Sequence, residues 1–193
     1  MRSAPAIQEQ RPATRGAGGF GLIELIVVIS IVAILAAIAL PSFAYTIRNN
    51  RVGTQNNDLL SAFNLARNEA ITRGRGVSIC AADTTDGAIP TGCADAADWK
   101  LGWMVFLDNT VSGAPAEPID AASVLRTWTG NPKNDMAPEG DETYVRFNSR
   151  GTAQLTGDVV IVLQPEDECQ NQQKREITIT AMGRASSHAV DCS

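Results

Sequence analysis

The chain has 193 residues, of which 44% are hydrophobic and 19% charged, with a formal net charge of -5. This composition excludes a wholly disordered polymer, and the length leaves room for one modest folded domain plus an anchoring segment. The acidic balance disfavours nucleic-acid binding by overall charge and leaves only a local basic patch for that role.

Residues 1–19 are polar and basic, carry Pro5 and Pro12, and end in Gly16-Ala17-Gly18-Gly19. They show no apolar periodicity and read as a processing segment. Loss of this leader would remove Arg2, Arg11, Arg15 and Glu9, leaving 13 basic against 20 acidic residues, a net of -7. Phe20 to Leu40 follows as an apolar run whose sole charge is Glu24. As a helix it would be about 31 Å long, enough to cross a bilayer core. A secretory signal cut near Ala39 or Ala44 competes with this reading, but the run exceeds the usual length of such signals. A plain single-pass anchor is a second reading. The third turns on Glu24, because an acid deep in a membrane helix costs about 2.5–3.5 kcal/mol and calls for a partner. The amino group created by cutting before Phe20, in the same or a neighbouring subunit, would supply one. Arg48 and Arg51 follow the run, but arginines also precede it, so charge says little about orientation.

Pro41 lacks an N–H and predicts a bend. Beyond it Phe43 and Ile47 are four apart, and Leu59, Phe63, Ala66 and Ala70 recur at three and four, widened by Leu60 and Ile71. Glu69 and Arg73 are placed for an i,i+4 pair, and Gly74 and Gly76 stop the pattern. The reading is one helix from about 21 to 73, with its second half laid on a folded body. From Val77 the period becomes that of strands. Strands are expected at Val77–Cys80, Trp99–Leu107 with a bulge at Gly102, Ser123–Trp128, Tyr144–Phe147, Asp158–Gln164 and Glu176–Ala181. A hairpin-like turn at Asn148–Gly151 leads into Thr152–Leu155. The segments 83–98, 108–122 and 130–141 read as loops. A helix followed only by strands implies an α+β body of antiparallel sheets, two small ones rather than one.

The four cysteines, Cys80, Cys93, Cys169 and Cys192, include no C-x-x-C pair, and His188 is the single histidine, which disfavours zinc. Behind an export signal they read as two disulfides, with the sequential pairs Cys80–Cys93 and Cys169–Cys192 favoured among three possible pairings. Each would contribute on the order of 3 kcal/mol by the chain-entropy model. Ser186, Ser187 and Asp191 lie beside His188, but neighbours on one short segment do not make a catalytic relay, and His188 reads as a surface-tail residue. No phosphate-binding glycine motif occurs. Glu166-Asp167-Glu168 reads as a solvated loop, with calcium binding the weaker alternative. No catalytic residue, metal ligand or cofactor is assigned.

Gly19-Phe20-Gly21-Leu22-Ile23-Glu24-Leu25 resembles the type IV prepilin motif. The resemblance implies that a membrane aspartic peptidase, the prepilin peptidase, cuts between Gly19 and Phe20 and N-methylates Phe20. It further implies that Glu24 sets subunit registration during assembly and that the helix bends at Pro41. Gly21 departs from the family's usual Thr, which lowers local helix propensity but leaves the cleavage pair intact. Ile71-Thr72-Arg73-Gly74, Gly102-Trp103-Met104-Val105-Phe106-Leu107-Asp108 and Phe147-Asn148-Ser149-Arg150-Gly151 are similar to the GspH/FimT group of minor pilins and pseudopilins. Together the matches span most of residues 19–183.

The implied organisation is a leader at 1–19, a transmembrane helix at 20–40, the second half of the pilin helix at 41–76 and a periplasmic β domain at 77–193. The implied function is that of a non-enzymatic minor pilin. It would be held in the inner membrane and incorporated with other major and minor pilins into a type IV pilus near its tip. A minor pseudopilin of type II secretion is the alternative. Some members of the group take up DNA through a C-terminal Gly-Arg-x-Arg element. Gly183-Arg184-Ala185-Ser186 keeps only the first arginine, so Arg184 is a candidate DNA contact, with Lys174 and Arg175 as neighbours in a small patch.

Overall fold

The computed structural model describes residues 21–84, 86–117 and 119–192. Its contacts divide the chain into a first unit ending at Ser42 and a second beginning at Phe43. Helix α1, Leu22–Arg73, is one continuous 52-residue element that belongs to both.

In the first unit α1 opens with the Leu25 N–H donating to the Gly21 carbonyl at 3.2 Å. Its apolar side chains from Leu22 to Leu40 are exposed. Glu24 sits in the first turn, where a negative charge complements the helix dipole.

The second unit is built on the other half of α1. Val52, Leu59, Ala62, Phe63, Ala66 and Ala70 are buried, the helical spacing that lays one stripe on a core. Phe43 and Ile47 do not join it: both are exposed, as is Ile71 at the opposite end. The stripe thus begins at Val52. The helix ends with the Arg75 N–H donating to the Ala70 carbonyl and the Gly74 N–H to that of Ile71, the paired closure of a glycine-stopped helix. Glu69 and Arg73 form the expected i,i+4 pair.

Eight strands follow: β1 Val77–Ala81, β2 Gly102–Leu107, β3 Val124–Thr129, β4 Asn134–Pro138, β5 Tyr144–Phe147, β6 Val159–Pro165, β7 Lys174–Ile179 and β8 Ala185–Val190. They form two four-stranded antiparallel sheets, ordered β3-β2-β1-β5 and β4-β6-β7-β8. One core cluster joins the α1 stripe to both sheets, through residues such as Ile79, Trp103 and Val145 from one and Ile161, Leu163 and Ile177 from the other. Phe63 stacks on Trp99 at 6.2 Å, and the Trp99 indole N–H donates to the Glu142 carbonyl.

Strands β1 and β2 are buried on both faces, which explains their unbroken apolar reading. Their far face holds a second cluster of Cys80, Ala82, Met104, Phe106 and Ile119, covered by the loops after β1 and β2. The Cys80–Cys93 disulfide ties the first of these loops to β1. The Ile119 N–H bonds the Thr91 carbonyl at 2.6 Å and joins the two loops. Cys169–Cys192 is the second disulfide, as the sequential pairing expected.

Several boundaries differ from the expectation. Trp99 to Leu101 belong to a 3-10 helix, Ala96–Leu101, rather than to a strand. An apolar run does not by itself separate a strand from other buried segments. Gly102 is not a bulge but the first residue of β2, at φ 145°, where a Cβ would strike Thr84 and the Trp128 carbonyl. The irregularity lies further on, between Val105 and Phe106. The segment 130–141 is not all loop, since it contains the edge strand β4, with Pro138 at its end. Thr152–Leu155 makes a single bridge, Phe147 to Ala153, rather than a strand. The segment expected to be a tail forms β8, and His188 lies in that edge strand 3.2 Å from Glu176.

A charged pair is buried between β5 and the end of β2. The Arg146 Nη2 lies 2.7 Å from Asp108 Oδ2, and Ser78 donates to the same carboxylate at 2.6 Å. Burial alone would raise the Asp108 pKa. Hydrogen bonds from Ser78, from the hydroxyl and N–H of Thr110 and from Arg146 outweigh it and hold the carboxyl below its ordinary range. The folded value therefore lies below the unfolded value of about 3.9. The stabilisation is complete above that unfolded value and is lost as pH falls through the folded one. Urea unfolding of residues 43–193 should show a midpoint that drops below about pH 4. Asp108→Asn should start about 3–5 kcal/mol less stable at neutral pH, because Arg146 is left unpaired, and should lose less on acidification. Equal acid sensitivity in the two proteins would refute this role for Asp108.

Candidate functional site

Two regions carry the residues singled out by sequence. The first is the start of α1. Gly19 and Phe20 lie outside the described residues, so the structure begins just after the expected cleavage pair. Glu24 is exposed in the first turn, among exposed Leu22, Ile23, Leu25 and Val28. This is an apolar helix surface with one carboxylate at its amino-terminal end. It is long and apolar enough to cross a membrane. Helix α1 runs through Pro41 without interruption.

The second region is the end of the body that holds Arg184. Arg184 is exposed in the turn joining β7 to β8. Lys174 and Arg175 do not share its location. They pair with Val190 and Ala189, whereas Arg184 precedes Ala185, the partner of Ile179. At about 3.4 Å per strand residue, the two groups are separated by roughly 15 Å. Lys174 is also within 3.7 Å of Glu176.

The fold gathers other arginines around Arg184. Gly183, at φ 76°, packs so closely on Gly151 that a Cβ would occupy the site of the Gly151 carbonyl oxygen. That same carbonyl accepts from Arg67 Nε at 3.1 Å. The Ala153 N–H donates to the Ala181 carbonyl at 3.0 Å. The turns 148–151 and 180–184 therefore lie side by side; Arg67 on α1 meets the first of them, and the exposed Arg150 and Arg184 belong to the two turns. Among the described residues none of the three has an ion-pair partner. Sequence reasoning missed Arg67 and Arg150 because neither lies near Arg184 along the chain. The available signal was the pair of turn glycines, Gly151 and Gly183.

The remaining candidates show no constellation for chemistry. His188 is exposed and meets Glu176, not Ser186 or Asp191. Glu166 and Glu168 face Lys100 at 3.9 Å and Arg48 at 3.8 Å. Among the described residues no group of three His, Cys, Asp or Glu side chains is arranged to hold a metal ion.

Comparison with known proteins bears on the start of the chain and on the fold of the body. Residues 14–40 match the prokaryotic N-terminal methylation motif. The type IV minor pilin FimU of Pseudomonas aeruginosa is similar in fold in two crystal forms. One aligns at TM-score 0.52 and 17% identity, covering 73% of this chain and 99% of FimU. The other aligns at 0.53 and 18%, covering 77% and 99%. The minor pseudopilin EpsH of the type 2 secretion system of Vibrio cholerae aligns at TM-score 0.43 and 12% identity, covering 73% of this chain and 97% of EpsH. No curated protein sequence matches the chain. The family described as type II transport protein GspH matches residues 55–183, well over half of the sequence, and with the methylation motif before it the chain belongs to that family of minor pilins and pseudopilins.

Proposed function

We propose that this protein is a non-enzymatic minor pilin, incorporated into a type IV pilus near its tip. The observation that carries the reading is the start of α1: an apolar, exposed helix with a single acid in its first turn, within the stretch that matches the N-terminal methylation motif. The prepilin peptidase cuts between Gly19 and Phe20 and methylates the new amino group. The helix holds the subunit in the inner membrane, with the disulfide-bonded body in the periplasm. During assembly neighbouring helices replace lipid around Leu22–Leu40, and the Phe20 amino group neutralises a Glu24 carboxylate of its own or a neighbouring subunit. Pro41 provides the bend that fits the helix into the filament. The pilus is favoured over the alternative, a type II secretion pseudopilus, by the paired cysteines and the apolar β2 segment ending at Asp108.

Three measurements bear on this reading. Mass spectrometry of the mature protein should find N-methylated Phe20 at its terminus; a terminus at Ser42 or beyond would overturn it. Glu24→Ala should reduce recovery in sheared filaments by at least roughly tenfold, as expected when a buried amino group loses its counter-charge, while residues 43–193 still fold. Wild-type recovery of the variant would sink the assembly role of Glu24. Deletion of the gene should remove surface pili and leave protein secretion intact, and the reverse phenotype would place the protein in a secretion pseudopilus.

A second reading, DNA reception, is favoured by one observation, the presence of Arg150 and Arg184 on two adjoining turns with Arg67 against the first of them. Three phosphate contacts would give a log–log salt slope of about -2 to -3 on duplex DNA. Arg184→Ala and Arg67→Ala should each reduce that slope by about one. A flat low-salt titration would reject DNA binding by this face.

A further inference from the structure

Four of the clefts among the described residues of the body differ in lining, and three of them carry carboxylates. Asp141, Glu142 and Asp158 line one, Asp108 and Asp120 a second, and Asp58 a third. The fourth, of about 200 Å³, is lined by Arg75, Thr110, Arg146, Asn148, Ser149 and Gln154 among others, with no carboxylate. On a chain this acidic, a cleft with two guanidinium groups and no carboxylate on its walls selects for anions.

The donors are held from outside the cleft. Arg146 is almost fully buried: Asp108 accepts from its Nε at 2.7 Å and lies 2.7 Å from its Nη2, which donates to Thr110 Oγ1. Its Nη1 has a much weaker partner, the Gln154 amide oxygen at 3.5 Å, so one face of a rigid guanidinium retains donor capacity. Arg75 follows the end of α1 and is steered by a hydrogen bond from its Nη2 to Asn109 Oδ1. The Ser149 hydroxyl makes no hydrogen bond among the described residues, while Asn148 braces the turn by accepting the Arg150 N–H at 2.9 Å. Asp108 balances Arg146, so the net charge of the cleft comes from Arg75.

We propose that this cleft binds a phosphate group. Donors from the end of α1, from β5 and from the 148–151 turn approach from different directions. That arrangement suits a tetrahedral oxyanion better than a planar carboxylate. Arg75 supplies the charge-assisted contact, Arg146 Nη1 a fixed donor and Ser149 a hydroxyl. The site is separate from the arginine face of the second functional reading, because Arg67 and Arg184 do not line the cleft. Inorganic phosphate and the phosphodiester of a nucleic-acid strand share the required chemistry.

The test is calorimetric titration of inorganic phosphate into the mature full-length chain in non-ionic detergent at constant ionic strength. Saturable binding is expected. Arg75→Gln should weaken it at least roughly tenfold, the scale of one lost charge-assisted hydrogen bond. Ser149→Ala should weaken it less, and Arg184→Gln should leave it unchanged. Acetate should not compete. Competition by a short oligothymidylate would identify the phosphodiester as a source, and its failure to compete would restrict the site to free phosphate or a phosphomonoester. Absence of saturable phosphate binding, equal competition by acetate, or equal loss in Arg75→Gln and Arg184→Gln would overturn the assignment.

Discussion

Helix α1 has to satisfy two environments along one continuous backbone. From Leu22 to Leu40 it is apolar all round, and such a helix is stable only where lipid or other apolar helices surround it. From Val52 onward it is apolar on a stripe, the pattern of a helix lying on a protein core. Backbone hydrogen bonding is the same in both halves, so side chains alone set the difference. Glu24 fits this division because of where it lies. In the middle of a membrane helix an acid is costly, whereas in the first turn the unpaired N–H groups and the dipole favour it.

The body solves a different problem. A four-stranded sheet that packs one face on α1 would leave its other face wet and alternate in sequence. Strands β1 and β2 do not alternate, because the loops after each of them close over the outer face. The Cys80–Cys93 disulfide and the bond between Ile119 and Thr91 hold those loops in place. Closing that face also buries polar groups, and the Ser78, Asp108, Thr110 and Arg146 cluster meets the requirement that they be paired. The arrangement binds β1, β2 and β5 to a common set of hydrogen bonds, so a disturbance at Asp108 reaches three strands.

Much of this was legible in the chain. The α1 stripe at Leu59, Phe63, Ala66 and Ala70 repeats with helical spacing and is buried as that spacing implies. Val159, Ile161 and Leu163 alternate with exposed or half-buried neighbours and form β6. Both disulfides join sequential cysteines. What escaped was written in weak local signals. Strand β8, Ala-Ser-Ser-His-Ala-Val, has no apolar alternation because an edge strand with a solvated face needs none. Strand β4 is short and flanked by Pro132 and Pro138, which read as loop. Phe43 and Ile47 have helical spacing but no body beneath them, and periodicity cannot say where a core begins.

The arginine face shows most clearly why a site can be invisible in sequence. A linear element would place its charges on consecutive residues of the β7–β8 turn, yet here the residue two beyond Arg184 is Ser186. Ser186 is a β8 residue whose backbone pairs with Thr178. Arg67 on α1 and Arg150 on the neighbouring turn lie near that turn instead. What brings them together is the absence of side chains at Gly151 and Gly183, which lets two turns approach to backbone contact. Glycine pairs of this kind say nothing about charge when read along the chain. They matter here because a side chain at either position would force apart two turns that are distant along the chain.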